Sequence, residues 1–556
     1  MQYQSINFIP KIEPDSLEVL SLIYTPGVGY ACMEIKENDG LSYRYTNREN
    51  SVAVLSFDYE RSLKRAIFLK STLNIDAYPF EFNYPSPYPL PQGERNNNKI
   101  EYALEEGAMN AKISHSPSPL AGEGEFSARG TSVRKLGEGL KNLLKLVVEN
   151  IYPNFCGIDL TLIAETVENI DFDVEIPVLK KSGADIKDFF HPFSKNIFMF
   201  ELGKLTGNFK EQSLQLREMA GGVVETELSY EPNKKPVAII SDGSAVLGFG
   251  NIGAEAGIPV MEGKAVIFKS LGSVNAISLC LKTQNSEEII KIVQSLKNSF
   301  SGINLEDISA PRCFDIETKL IETLDIPVFH DDQHGTAIVV LAALINALSV
   351  AKKEISKVKI VISGAGAAAQ SVSKLLLKAG VTEIIHVDSK GAVYKNRPEN
   401  DFYLEELAKI TNKQNIQGSL EDALKSADVF IGLSAAGVLK PEFIKKMNKN
   451  PIIFALANPT PEIMPDEAKN AGAFIIATGR SDFDNQINNS LAFPGLFQGI
   501  LTHGIKKVTD EIKLECAIAI ASLIKDENLS QTNILPNALD PRVPAIIVGR
   551  LSSLQL

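Results

Sequence analysis

Two pairs of adjacent acids stand where this chain could hold a metal: Glu306–Asp307 in INLEDI and Asp331–Asp332 in VFHDDQHGTA. Hard carboxylate oxygens of this kind suit Mg2+ or Mn2+ rather than a soft, thiolate-loving ion. Adjacent acids are ordinarily solvated loop charges. Here each pair follows an apolar, strand-like run, FSGINL and IPVF, and both pairs precede a glycine-rich stretch, which favours a cleft. His330 and His334 beside the second pair read as ordinary hydrogen-bonded histidines rather than ligands.

The glycine-rich stretch is KVKIVISGAGAAAQSVSKLLLKAGVTEIIHVDSKG, Lys357–Gly391. Its order is strand, glycine turn, helix, strand. Gly364 and Gly366 allow a tight turn and close approach to a pyrophosphate, and small Ala369 stands where helix and strand pack. The helix N-terminus then offers amide donors and a positive dipole to phosphate. Asp388 closes the next strand about 20 residues on, where a ribose-binding acid belongs. Such an acid favours NAD, whereas Lys390 and Arg397 could instead meet the 2′-phosphate of NADP. Further apolar runs, DVFIGLS, PIIFALANPT and AFIIATG, alternate with helical text, as a doubly wound parallel sheet requires.

A chain of 556 residues is too long for one core and predicts two or three lobes. The net charge of −12 argues against nucleic acid or an anionic membrane as partner. Five cysteines without paired spacing read as thiols of a reducing compartment, so a cytoplasmic location is expected. The longest apolar run, Thr336–Ala351, is shorter than the roughly 20 residues a bilayer needs and carries Asn346, so it predicts a buried helix.

The chain also repeats itself. SVAVLS (51–56) echoes PVAIIS (236–241), RAIFLKSTLNIDA (65–77) echoes KAVIFKSLGSVNA (264–276), and VVENIYPNFCGIDLTLI (147–163) echoes IVQSLKNSFSGINLEDI (292–308). Three blocks in one order indicate a duplication. The first copy lacks the glycine-rich DGSAVLGFGNIG and gains a stretch rich in Pro, Ser, Gly and Asn across 84–139. That composition predicts a mobile insertion. In the first copy Thr161 and Leu162 stand where the second has Glu306 and Asp307, and Arg65 stands for Lys264. Thr161 and Leu162 carry no carboxylate, so the first copy cannot offer that acid pair to a metal.

Taken in order, YTPGVGYAC, SDGSAVLGFGNIG, GIPVMEGKAVIFK, INLEDI, FHDDQHGTA, GAGAAA, ALANPTPE and NQINNSLAFPG resemble the malic enzymes, in particular the malic domain of the bacterial, usually NADP-dependent, hybrid type. The resemblance covers residues ~15–55 and ~236–530. It implies oxidative decarboxylation of malate to pyruvate and CO2, with NADP or NAD and with Mg2+ or Mn2+. By motif, Lys264 matches the general base, which needs a pKa below its usual ~10.4, and Tyr24 matches the general acid that protonates C3. Glu306, Asp307 and Asp332 match the metal ligands, and Asp331, Asn458, Asn488 and Asn489 match substrate contacts. Gly364, Gly366, Ala367, Ala369, Asp388, Ser389 and Asn458 match cofactor contacts.

The resulting expectation is an α/β protein: a Rossmann-type doubly wound nucleotide lobe plus an α/β substrate and metal lobe with a degenerate duplicated segment. The expected divisions are 1–56 with the tyrosine motif, 57–235 as the degenerate copy, 236–335 as the metal lobe, 336–530 as the NAD(P) lobe and 531–556 as a tail. The hybrid type carries a C-terminal acetyltransferase-like domain, which is expected to be absent here. The family also implies a homodimer or higher homo-oligomer. Because the degenerate copy separates Tyr24 from Lys264, the acid is expected to reach across it, or from a neighbouring subunit. The alternative is an inactive relative that still binds dinucleotide.

Overall fold

The computed structural model describes residues 5–12, 14–24, 27–38, 41–46, 51–56, 76–81, 142–143, 145–151, 157–159, 178–179, 214, 224–229, 235–246 and 248–554. The expected insertion at 84–139, together with Arg65, Thr161 and Leu162, lies outside the described residues.

The strands are β1 (Ser5–Pro10), β2 (Ser51–Ser56), β3 (Asp76–Glu81), β4 (Gly157–Asp159), β5 (Val178–Leu179), β6 (Val224–Ser229), β7 (Val237–Ser241), β8 (Ala276–Cys280), β9 (Gly302–Leu305), β10 (Val328–His330), β11 (Lys359–Ser363), β12 (Glu383–Asp388), β13 (Gly391–Ala392), β14 (Val429–Gly432), β15 (Ile452–Ala455) and β16 (Ile475–Thr478). The helices that matter here are α1 (Leu17–Ile23), α2 (Val28–Glu37), α3 (Gly253–Gly272), α4 (Ser286–Leu296), α5 (Arg312–Thr323), α6 (Thr336–Ala351), α7 (Ala367–Lys378), α8 (Phe493–Thr502), α9 (Asp510–Ala521) and α10 (Arg542–Ser552).

The strands of the two C-terminal sheets are short runs, rich in β-branched residues, that are almost wholly buried, as parallel sheets covered on both faces require. In the nucleotide lobe the order is β13-β12-β11-β14-β15-β16, every neighbour parallel except the short β13. The strand order reverses beside β11, so the turn after β11 opens at the switch point where such sheets bind ligands. In the metal lobe the order is β8-β7-β9-β10, all parallel. β7 is buried along its whole length, as a central strand must be.

The first sheet, β3-β2-β4-β5, has the same order and the same register. Val52 pairs with Ala77 and Gly157, and Ile158 pairs with Val178. In the metal lobe Val237 pairs with Ala276 and Gly302, and Ile303 with Val328. Val52, Ala77, Gly157 and Ile158 are the positions that the sequence blocks align with Val237, Ala276, Gly302 and Ile303. The two units also touch reciprocally. Asn150, on helical residues 145–151 before β4, accepts from the Thr283 amide just past β8 at 2.6 Å. Conversely, β3 lies against residues 297–299 before β9, and Phe80 meets Phe300 edge to face with ring centroids 6.2 Å apart.

Helix α3 is the spine of the metal lobe, buried on nearly every side. Against it packs α2, whose Val28, Ala31, Cys32 and Ile35 recur at the helical period and are all buried. The stretch Asp331–Ala351 is long and apolar enough to cross a bilayer, but most of it is buried in protein. It is the core helix the sequence predicts, packed on α7 and α9. Residues expected as a tail contribute α10, which buries Val543, Ile547 and Leu551 against α8 and α9.

Candidate active site

Parallel pairing of β9 with β10 sets Leu305 opposite His330. The next residues, Glu306 and Asp331, therefore leave the two strand ends side by side, and the acid pairs distant in sequence converge. The turns that follow are specialised. Asp307 adopts a left-handed backbone with φ 53°, rare for a residue with a side chain, and its amide donates to Asp332 Oδ2 at 2.7 Å. Asp331–Gly335 forms a π-helical turn that runs directly into α6.

Lys264 reaches this point from the middle of α3. Its Nζ lies 2.6 Å from Glu306 Oε1 and 2.5 Å from Asp331 Oδ2, wholly buried, and 4.3 Å from the centre of the Phe493 ring. Asn489 Nδ2 donates to the same Asp331 oxygen at 2.5 Å. Burial would depress the Lys264 pKa, yet the Asp331 and Glu306 carboxylates carry it well above its ordinary value. The lowered pKa expected of a base is not what these contacts produce, because the ammonium serves as counter-ion to two buried acids. Burial likewise pushes Glu306, Asp331 and Asp332 above the usual carboxylate range, and Lys264 offsets only part of that rise.

Tyr24 caps α1 and is 6% exposed. Burial raises its phenol far above 10, Lys264 pulls it back, and Glu306, Asp331 and Asp307 raise it further, so it is held protonated among these groups. The tyrosine reaches the site within its own chain. Of the two expected routes, this is the reach across the intervening copy: α2 packs on α3, and Ser21 Oγ meets Ser481 Oγ of the nucleotide lobe at 2.9 Å. Gly29 makes the approach possible, since a Cβ there would lie 2.1 Å from the Phe249 ring.

The donor set fits a hard divalent cation in chemistry: several buried carboxylates raised together, and an Asp331 Oδ1 left without a hydrogen-bond partner. Among the described residues no three such groups are preassembled around one point. The lysine ammonium occupies the space between Glu306 and Asp331 instead. The two histidines divide. His334 Nε2 pairs with Glu317 at 2.9 Å as an ordinary histidine. His330 is fully buried with its pKa lowered to about 4 by burial; among the described residues neither ring nitrogen is hydrogen-bonded, Nδ1 lying 3.8 Å from Asp332 Oδ2, so it departs from the expected hydrogen-bonded state.

In the other lobe Gly364 has φ 114°, and a Cβ on it would lie 2.4 Å from the Leu433 carbonyl oxygen. Glycine is thus required there. Gly366 precedes α7 with open space around its missing side chain, and Ala367 and buried Ala369 form the first turn. Asp388 ends β12 and Ser389 follows it. Arg397, which the sequence leaves open to a 2′-phosphate, grips both Asp388 oxygens and is itself buried. Asn458 lies between two glycines, Gly248 of the metal-lobe loop and Gly479. Asn488 spends its side-chain oxygen on the Ser490 amide at 2.9 Å, so of the asparagine pair only Asn489 touches an acid of the site.

Sequence reading misses three buried polar residues. His386 braces the glycine turn by pairing with the Gly364 carbonyl at 2.9 Å. Glu462 accepts from Ser434 and Ala457 amides, both at 3.0 Å, joining the loops after β14 and β15. Glu317 holds the π-helical turn.

The family model described as "Malic enzyme, NAD binding domain" matches residues 333–548, and "Malic enzyme, N-terminal domain" matches 208–289. The bifunctional malic/malolactic enzyme of Bacillus subtilis (strain 168) is 52% identical over 320 residues, covering 57% of this chain and 78% of that protein. The chain belongs to the malic enzyme family. The NAD-dependent malic enzyme of Geobacillus stearothermophilus is 51% identical, covering 56% of this chain and 65% of its own length. The NADP-dependent malic enzyme of Escherichia coli (strain K12) is 45% identical, covering 58% of this chain and 45% of that one. The chain thus spans under two thirds of some curated relatives. The crystal structure of the NAD-dependent malic enzyme from Thermotoga maritima superposes with a TM-score of 0.55 at 50% identity, covering 57% of this chain and 84% of that one.

Proposed function

We propose that this malic enzyme family member oxidatively decarboxylates L-malate to pyruvate and CO2 while reducing NAD or NADP, with a divalent metal required. The observation that carries the reading is the Lys264 amine buried against Glu306 and Asp331, with Tyr24 in the same electrostatic cluster. Glu306, Asp307 and Asp332 would hold Mg2+ or Mn2+, whose chemistry there is Lewis-acid polarisation of the substrate's C2 oxygen. A cation held there would take over the charge balance that Lys264 now supplies to Glu306 and Asp331, which would favour the neutral amine. The neutral Lys264 Nζ would accept the C2 hydroxyl proton while hydride leaves for the nicotinamide. After CO2 departs, Tyr24, kept protonated by burial, donates to C3. Asn489 orients the substrate through Asp331, and Phe493 helps exclude water from Lys264.

The first sheet is proposed as a duplicate of the metal lobe with a structural role. The reading also implies a cytoplasmic enzyme that assembles as a dimer or larger oligomer. The purified chain is incubated with L-malate, Mn2+ and each dinucleotide, following reduced-cofactor absorbance and pyruvate. Both products should appear together and stop with EDTA. A folded chain that yields neither overturns the proposal in favour of an inactive relative.

A further inference from the structure

The turn that carries Asp331 and Asp332 is held from both sides by side chains that take no part in the chemistry above. On one side stands Glu317 of α5, a buried carboxylate. It accepts from the His330 backbone amide at 3.2 Å, from Gln333 Nε2 at 3.0 Å and from His334 Nε2 at 2.9 Å. On the other side stands Ser371 of α7, whose Oγ donates to Gln333 Oε1 at 3.2 Å. All three residues, Glu317, Gln333 and Ser371, are buried. The Gln333 amide therefore spans the two lobes, its nitrogen tied to the metal lobe and its oxygen to the nucleotide helix.

Ser371 lies one turn into the helix whose N-terminus follows Gly364 and Gly366. A phosphate that settles on that N-terminus would bear directly on α7. The π-helical turn is closely packed. A Cβ at Gly335 would lie 1.8 Å from Asp331 Oδ1 and 3.3 Å from Asn489, so the Asp331 carboxylate fills the space a side chain would take. Gln333 is thus the hydrogen-bonded link between α7 and the turn that carries the two aspartates.

We propose that Gln333 and Ser371 are positioning residues that couple the dinucleotide helix to the metal-binding acids, making dinucleotide and divalent cation bind cooperatively. The inference rests on the dinucleotide-and-metal reading above. Linkage requires the effect to be mutual: each ligand tightens the other by the same factor.

The test uses the full chain and two probes. Mn2+ binding is followed by the electron paramagnetic resonance of the free ion, and dinucleotide binding by calorimetry, each with and without the other ligand. In the unaltered protein, saturating dinucleotide should tighten Mn2+ by about fivefold or more, the lower end of ordinary coupling. In Ser371→Ala and Gln333→Met that factor should fall to near one, while each ligand alone still binds. Both ligands binding without mutual effect, or coupling that survives Ser371→Ala, overturns the inference alone. Absence of binding by either ligand to the unaltered protein overturns the underlying reading and the inference with it. Should Gln333→Met not fold, Ser371→Ala, which removes one hydroxyl from a helix, decides.

Discussion

Replacing Glu317 by Gln keeps the shape of the residue and removes its charge. Burial would raise this carboxyl, but the neighbouring His334, then His330 and Lys513, carry it down to about 2 from an ordinary 4.5. At about 1.4 kcal/mol per pH unit, that difference means the charged form is bound about 3 kcal/mol more firmly than the neutral one. An independent figure agrees: truncating one partner of a buried charged network costs about 3–5 kcal/mol. Glu317→Gln should therefore lower the unfolding free energy, by at most about 3 kcal/mol because His330 is neutral near pH 7, read from urea denaturation followed by circular dichroism. The pH dependence has a definite sign. The folded pKa lies below the unfolded one, so the stabilisation is complete above about 4.5 and is lost as pH falls towards 2. Glu317→Gln should lack that component of the acid slope. A loss under about 1 kcal/mol, with an unchanged acid slope, refutes the claim that Glu317 fastens the turn.

Three further outcomes follow from the site. Lys264→Met should cut turnover of malate by about 10²–10⁴-fold, as loss of a general base does, while calorimetry shows the dinucleotide still bound. Gly335→Ala places a methyl where Asp331 Oδ1 now sits. Since misplacement by about 1 Å can cost on the order of 100-fold in rate, kcat should fall by roughly that factor and Mn2+ affinity should fall with it. Gly364→Ala meets the Leu433 carbonyl and a positive φ, a strain of about 1–3 kcal/mol, so dinucleotide affinity should drop with little change in Mn2+ binding.

The parts of the site legible in sequence are those whose meaning is local. Acid pairs that end apolar runs announce strand ends, and INLEDI and FHDDQ lie at the ends of adjacent parallel strands. The GAGAAA turn with Asp388 after the next strand is local in the same sense, and it stands where a doubly wound sheet needs it. Tyr24 is different. Its place beside Lys264 depends on α2 packing against α3, a contact more than two hundred residues apart in the chain, and no local pattern encodes it. Glu317, Glu462 and His386 are illegible for another reason. A polar residue inside helical or strand-like text looks like surface until burial and its donors are known. The charge state of Lys264 fails for a third reason, since pairing with two acids outweighs the desolvation that sequence reasoning expects to lower its pKa.

The reciprocal contact between the two register-matched sheets has a thermodynamic consequence of its own. Asn150 on Thr283 and Phe80 on Phe300 join units carried by one polypeptide. Tethering sets an effective concentration fixed by the linking chain, on the order of millimolar for short flexible connections. Dilution therefore cannot part these two units, whereas a like contact between separate chains weakens as protein becomes scarce. The lobe bearing Lys264 keeps this flank covered even when few molecules are present.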